Sequence, residues 1–139
     1  MSVKGPPATY RGRSIGIAIL VGLQLLIGVI HAFFGVLLLA YEDFAFLPTT
    51  TVYDVYTVAY GVLTVVFAVY LWRGKRVGWI GTVAVSLFVI VADSLTVLNL
   101  PSIPGIPRSA APFEIIYSVI VVGYLLQSGV RRKFLGSDA

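Results

Sequence analysis

Cysteine is absent from the 139 residues, and histidine occurs once, at His31. Without cysteine the chain has no disulfide, thiolate metal site, iron–sulfur cluster, covalent haem linkage, thiol nucleophile, or lipoprotein or prenyl anchor. With one histidine, a single copy cannot supply a pair of imidazole ligands. Charge is scarce as well. Only 12% of residues are Asp, Glu, Lys or Arg, against about a quarter in a typical water-soluble domain. No lysine falls inside a long apolar run, so no buried amine is available for a Schiff base. The motifs Gly-x-Ser-x-Gly, His-Glu-x-x-His and the phosphate loop are missing too. The expectation is a protein that is not an enzyme, with no catalytic residues and no cofactor. The net charge of +4 does not argue for nucleic acid, because the cations flank apolar runs and form no block in a polar domain.

What is present is apolar. Hydrophobic residues make up 58% of the chain, and the mean hydropathy is +0.96. The chain is organised around Trp72-Arg-Gly-Lys-Arg-Val-Gly-Trp79, where three cations and two glycines lie between two tryptophans. Charges this dense are excluded from hydrocarbon, and Trp favours the headgroup boundary. The stretch reads as a tight turn at a membrane face joining two spanning helices. The sequence therefore predicts one all-α domain, an integral membrane four-helix bundle, with spans at about 15–40, 52–72, 77–98 and 113–129. The first run is too long for the apolar part of a signal peptide and is followed by three more, so it is expected to be retained.

Orientation follows from the cations. Lys4, Arg11, Arg13, Arg73, Lys75, Arg76, Arg131, Arg132 and Lys133 fall on one side of such a bundle, and Arg108 alone on the other. The expectation is a multi-pass protein of the cell membrane with N- and C-termini and the central turn cytoplasmic. Glu42, Asp43, Asp54, Asp93 and Glu114 lie toward the outer side. A shift of 62 residues places Gln24 on Ser86 and His31 on Asp93, which would relate the two hairpins as parallel repeats about the membrane normal. Chance similarity between two apolar helices is the other reading.

Polar and small residues recur at helical spacing. Helix one carries Val21, Gln24, Gly28, His31 and Gly35. Helix two carries Asp54, Thr57, Gly61, Thr64 and Ala68. Helix three carries Trp79, Thr82, Ser86, Val89, Asp93 and Thr96. Helix four carries Glu114, Tyr117, Ser118, Val121 and Gly129 less regularly. Such stripes let helices approach and hydrogen-bond, so ordinary interhelical packing accounts for them. Depth adds a sharper reading. His31, Asp54, Asp93 and Glu114 all lie about 25–27 Å from the inner boundary at 1.5 Å per helical residue. They are candidates for one cation- or proton-binding layer, with His31 the partner of Asp93 by depth. Asp54 and Glu114 also fit as helix N-terminal carboxylates answering free amides. Pro101, Pro104 and Pro107 recur at the three-residue period of a polyproline II helix, as a stiff connector, a lid or a docking strip.

At Gly61-Val-Leu-Thr-Val-Val-Phe-Ala-Val-Tyr-Leu-Trp-Arg-Gly-Lys-Arg-Val-Gly-Trp79 the chain resembles a broad group of uncharacterised small four-span membrane proteins of archaea and bacteria. Their second helix similarly ends in a Leu-Trp-x-Gly-Lys turn followed by an aromatic. The resemblance implies a four-helix membrane domain and no activity. A weaker likeness, in span number and the Arg-x-x-Gly opening of helix one, is to DoxX-like membrane proteins linked to sulfur or quinone redox chemistry. Three functions are then open. The first is a structural or accessory subunit packing on other membrane subunits or on itself through small-residue faces. The second is a small transporter, channel, or cation- or proton-binding protein using the outer acidic layer. The third, weaker, is a quinone- or lipid-binding redox accessory. The lipid bilayer is the one partner common to all.

Overall fold

The computed structural model describes residues 14–41 and 49–136, all helix, turn or irregular chain with no strand among the described residues. Helix α1 is Ile15–Ala40, α2 Thr51–Trp72, α3 Arg76–Val97, α4 Ala111–Leu126 and α5 Ser128–Leu135. The first three are each long and apolar enough to cross a membrane, and α4 with α5 would make a fourth span if the bent pair is counted as one. The chain is a helical membrane bundle, and its surface says so as clearly as its helices do. Ile19, Leu26, Phe33, Val55, Phe88, Ile116 and Ile120 all face outward, while Gln24, Asp54, Thr57, Thr64, Thr82, Ser86, Asp93 and Ser118 are buried. A water-soluble protein would bury the first set and expose most of the second.

Local chemistry sets the helix ends. The Ser14 hydroxyl accepts from the Ile17 amide at 3.3 Å, and the Thr50 hydroxyl from the Tyr53 amide at 3.1 Å, each capping a helix start. The basic turn is a Schellman-type stop. Gly74 sits at φ +68°, its amide bonds to the Leu71 carbonyl at 3.0 Å, and the Lys75 amide bonds to Tyr70 at 2.9 Å. A positive φ favours glycine there, so the turn costs no Cβ strain. Helix α3 ends the same way, with Asn99 at φ 60° and the Leu100 amide on Leu95 at 2.9 Å.

The two ends of the bundle differ. At the turn end, Ile17, Leu20, Val21, Ala68, Leu71, Val121, Leu125 and Val130 form an apolar cluster that joins α1, α2, α4 and α5. Ser14 and Tyr124 hydroxyls meet there at 3.2 Å, closing α4 against α1. At the other end, residues 98–110 fold back over the helices. The Ser102 hydroxyl donates to the Ala92 carbonyl at 2.7 Å, the Thr50 hydroxyl to Pro104 at 2.6 Å, and Arg108 to the Asn99 side chain. Ile106 is buried there against Ala92 and Ala111. Turns at 104–105 and 108–110 interrupt the three-residue proline period. The segment is therefore a cap across the bundle rather than an extended polyproline rail.

The fourth span departs from the sequence expectation of 113–129. Helix α4 stops at Leu126, Gln127 takes an extended ψ of 135°, and α5 leaves at 71°. The Trp79 indole N–H donates to the Leu125 carbonyl at 2.9 Å and satisfies one of the groups that the break frees. The 16 residues of α4 reach about 24 Å, short of the roughly 30 Å hydrocarbon core. Gly129 consequently lies on α5, exposed, and takes no part in the stripe assigned to helix four.

Candidate functional site

The polar stripes of the four helices converge. Asp54, Thr57, Gly61, Thr64 and Ala68 are all buried on α2, as are Thr82, Ser86, Val89 and Asp93 on α3 and Ser118 and Val121 on α4. On α1, Val21, Gln24, Gly28 and Gly35 are buried and His31 is half-buried. The reason is close backbone contact. A Cβ built on Gly28 would stand 2.8 Å from a Val65 methyl, and one on Gly35 would stand 2.8 Å from the Val58 amide nitrogen.

Near the cap end, three of the four layer residues come together. His31 Nε2 lies 3.6 Å from Glu114 Oε1, in ion-pair range. Glu114 is in turn the charged neighbour that acts on Asp93. Asp93 is fully buried, and neither of its oxygens has a hydrogen-bond partner among the described residues. The depth count pairs His31 with Asp93, whereas the contact that His31 makes is with Glu114, which is also the charged neighbour of Asp93. Glu114 does sit in the first turn of α4, as a helix N-terminal carboxylate would, but its side chain reaches across to α1. Asp54 occupies the first turn of α2 and is buried, with one oxygen unpartnered among the described residues. The capping bond at that helix start belongs to Thr50. Among the described residues no three His, Asp or Glu side chains converge as a metal-binding group.

Hydrogen bonding dictates where protons sit. His31 Nδ1 lies 2.8 Å from the Ile27 carbonyl, and a carbonyl can only accept, so Nδ1 carries a proton. Nε2 therefore meets the Glu114 carboxylate either as a second N–H or as a bare lone pair. Two lone pairs repel, so that gap takes a proton. The Glu114–Asp93 gap has two carboxylates and takes another, since a carboxylate can only accept. With both gaps filled, the group is an imidazolium, a carboxylate and a carboxylic acid, with no net charge. That is the cheapest state for three ionisable groups inside a membrane.

A cleft of about 310 Å³ opens onto the His31 side of this cluster, lined by Ile30, His31, Phe34, Tyr53, Thr57 and the end of the cap at Pro107, Ser109 and Ala110. Beside it the Tyr60 ring meets His31 edge-on, with centroids 4.9 Å apart and an interplanar angle of 79°. Tyr56 stacks at 6.3 Å on Tyr60 and lies 6.2 Å from Phe88. The richness of α2 in tyrosine is plain from composition, but the place of Tyr60 beside His31 is not. The signal for it is the spacing of Tyr53, Tyr56 and Tyr60, which sets three rings along one side of a helix.

No family model, curated protein or solved structure matches the chain.

Proposed function

We propose that the chain is a non-catalytic multi-pass protein of the cell membrane that takes up and relays protons through the His31–Glu114–Asp93 cluster, reached from the outer side. The observation that carries this reading is the fully buried, unpartnered carboxyl of Asp93 beside Glu114, which in turn pairs with His31 at the mouth of a cleft. An ionisable group inside a membrane bundle is costly and is by default a functional candidate. For a proton to move inward, His31 Nε2 first gives its proton to the Glu114 carboxylate; the neutral imidazole so formed takes a proton from the cleft, and the cluster then stands one proton above neutrality. A purely structural subunit would draw on the small-residue faces, and those of α1 and α2 are consumed between the helices of one chain. A redox accessory that binds a quinone or a lipid is the second reading. It rests on the apolar lining of the same cleft.

Infrared spectroscopy of the protein in lipid vesicles near neutral pH is expected to show the carbonyl band of a protonated carboxylic acid. Asp93→Asn should fold normally, because an amide can donate to Glu114, and should remove that band and any proton uptake. A band that survives in Asp93→Asn, or that is absent from the native protein, rejects the proton reading.

The orientation proposed here puts both termini and the basic turn in the cytoplasm, with the cap outside. Because the chain has no cysteine, single cysteines at Ser102 and Gly74 give unambiguous reporters. An impermeant thiol reagent added outside intact cells should reach the first and miss the second. Labelling of position 74 from outside would invert the topology.

A further inference from the structure

About two helical turns inward from the carboxylate cluster, the bundle encloses a second polar site. It is lined by Gln24 on α1, Tyr60 and Thr64 on α2, Thr82 and Ser86 on α3, and Tyr117 on α4. Four atoms here are buried without a hydrogen-bond partner among the described residues: Gln24 Oε1, Thr64 Oγ1, Thr82 Oγ1 and Tyr117 Oη. Gln24, Thr64 and Thr82 are only 4%, 4% and 2% exposed. Four orphaned polar groups from four helices around one void are not an accident of packing. Each lowers stability if left without a partner, and far less if something fills the space. The space open to the centre of a water-sized sphere is about 10 Å³, close to the minimum that one water needs.

We infer that this cavity is a binding site for a single ordered water molecule, and that the water carries the proton-bearing region inward past the cluster. The donor and acceptor count closes. Gln24 Oε1 can only accept, so the water donates one hydrogen to it. The hydroxyls of Thr64, Thr82 and Tyr117 can each donate or accept. The water donates its second hydrogen to one of them and accepts from the other two, which is the fourfold coordination water prefers. A dehydrated sodium ion fits less well, since all four ligand atoms are neutral and no carboxylate lines the site. Two side chains tie this site to the cluster. Tyr60 forms a wall of the cavity and also meets the His31 ring. Tyr117 lies three residues, about one helical turn, beyond Glu114 on α4. The relay role of the water rests on the proton reading above; its presence does not.

The test is water-to-protein magnetisation transfer by solid-state NMR on the labelled full chain in phosphatidylcholine vesicles. Transfer to the Gln24 and Tyr117 side chains is expected, and it should persist in Asp93→Asn. Gln24→Leu should abolish it. Thr82→Val keeps the shape, removes one partner, and should lower the folded-to-unfolded ratio about fivefold, the worth of one hydrogen bond. A dry cavity would give no transfer and an unchanged or improved ratio for Thr82→Val, and would overturn the site. Gln24 and Thr64 signals that shift when sodium is exchanged for choline would overturn it in favour of a cation. Water present without the carboxylic acid band would reject the proton reading and leave the water site standing.

Discussion

Leucine in place of Gly61 is expected to abolish the folded bundle. A single Cβ at this position already runs into the backbone nitrogen and Cα of Ala32 and stands 2.6 Å from the Gly28 carbonyl oxygen. Backbone cannot swing aside as a side chain can. The four carbons of leucine would have to separate α1 from α2 along their whole contact, which includes Gly28 against Val65 and Gly35 against Val58. Overpacking usually costs about 1–3 kcal/mol, and this case belongs at or above the top of that range. Alanine alone should cost a measurable part of it. Gly22 is the control: it lies on the same helix as Gly28 and faces outward, and a Cβ added there would meet nothing within 4 Å. Unfolding in mixed micelles should show Gly61→Leu unfolded or deeply destabilised and Gly22→Leu near native. Equal stability of the two would mean that α1 and α2 do not touch as described.

The second large effect is expected at Glu114. Alanine there removes the middle of the three-group cluster and leaves an imidazole and a buried carboxyl with no neighbour. Breaking a paired, poorly solvated group in this way costs about 3 kcal/mol. Glu114→Gln should behave differently. Its amide oxygen accepts from His31, and its NH₂ donates to Asp93, so the geometry is kept with one proton fewer. The fold should survive, and the carboxylic acid band should vanish as it does in Asp93→Asn. Combining Glu114→Gln with Asp93→Asn should then remove nothing further, because both act on the same shared proton. A full additional loss in the double variant would show that the two carboxyls share no proton.

Much of this is legible in the residues. The runs from Ile15 and to Trp72 can be bounded almost to the residue, because hydropathy and the charged turn fix where a helix must leave the bilayer. The burial of Gln24, Gly28, Thr64, Ser86 and Asp93 follows from helical spacing alone. The partner of His31 does not. Depth along a helix can be counted from the chain, but the direction in which a side chain points across the bundle depends on how helices cross, and that is decided by contacts such as Gly28 on Gly61. Counting places His31 level with both Asp93 and Glu114, and only packing chooses Glu114. The break at Gln127 is hidden for a related reason: Ser128-Gly129 is its one local mark, and small residues of that kind equally suit close helix packing. It is stabilised by an indole 46 residues earlier in the chain. The cap is hidden because regular proline spacing suggests an extended strand, whereas the hydroxyls of Thr50 and Ser102 bend it over the helices.

The apolar cluster at the turn end gives the interior an electrical character. Ile17, Leu71 and Leu125 fill that end with apolar side chains, so the route proposed for a proton is the cleft beneath the cap. Asp93 lies four residues from the end of α3, so a proton reaching it has crossed about 6 Å, or roughly a fifth of the hydrocarbon thickness. A full crossing is worth about 2.3 kcal/mol per 100 mV, so protonation of the cluster should respond to membrane voltage by only about 0.5 kcal/mol per 100 mV. Movement onward to the level of Gln24 and Ser86, seven residues further along α1 and α3, would sense roughly a further third of the field. On the proton reading, the cluster is a shallow well in the membrane potential with a deeper step behind it, and that step is where voltage, rather than external pH, would have its hold.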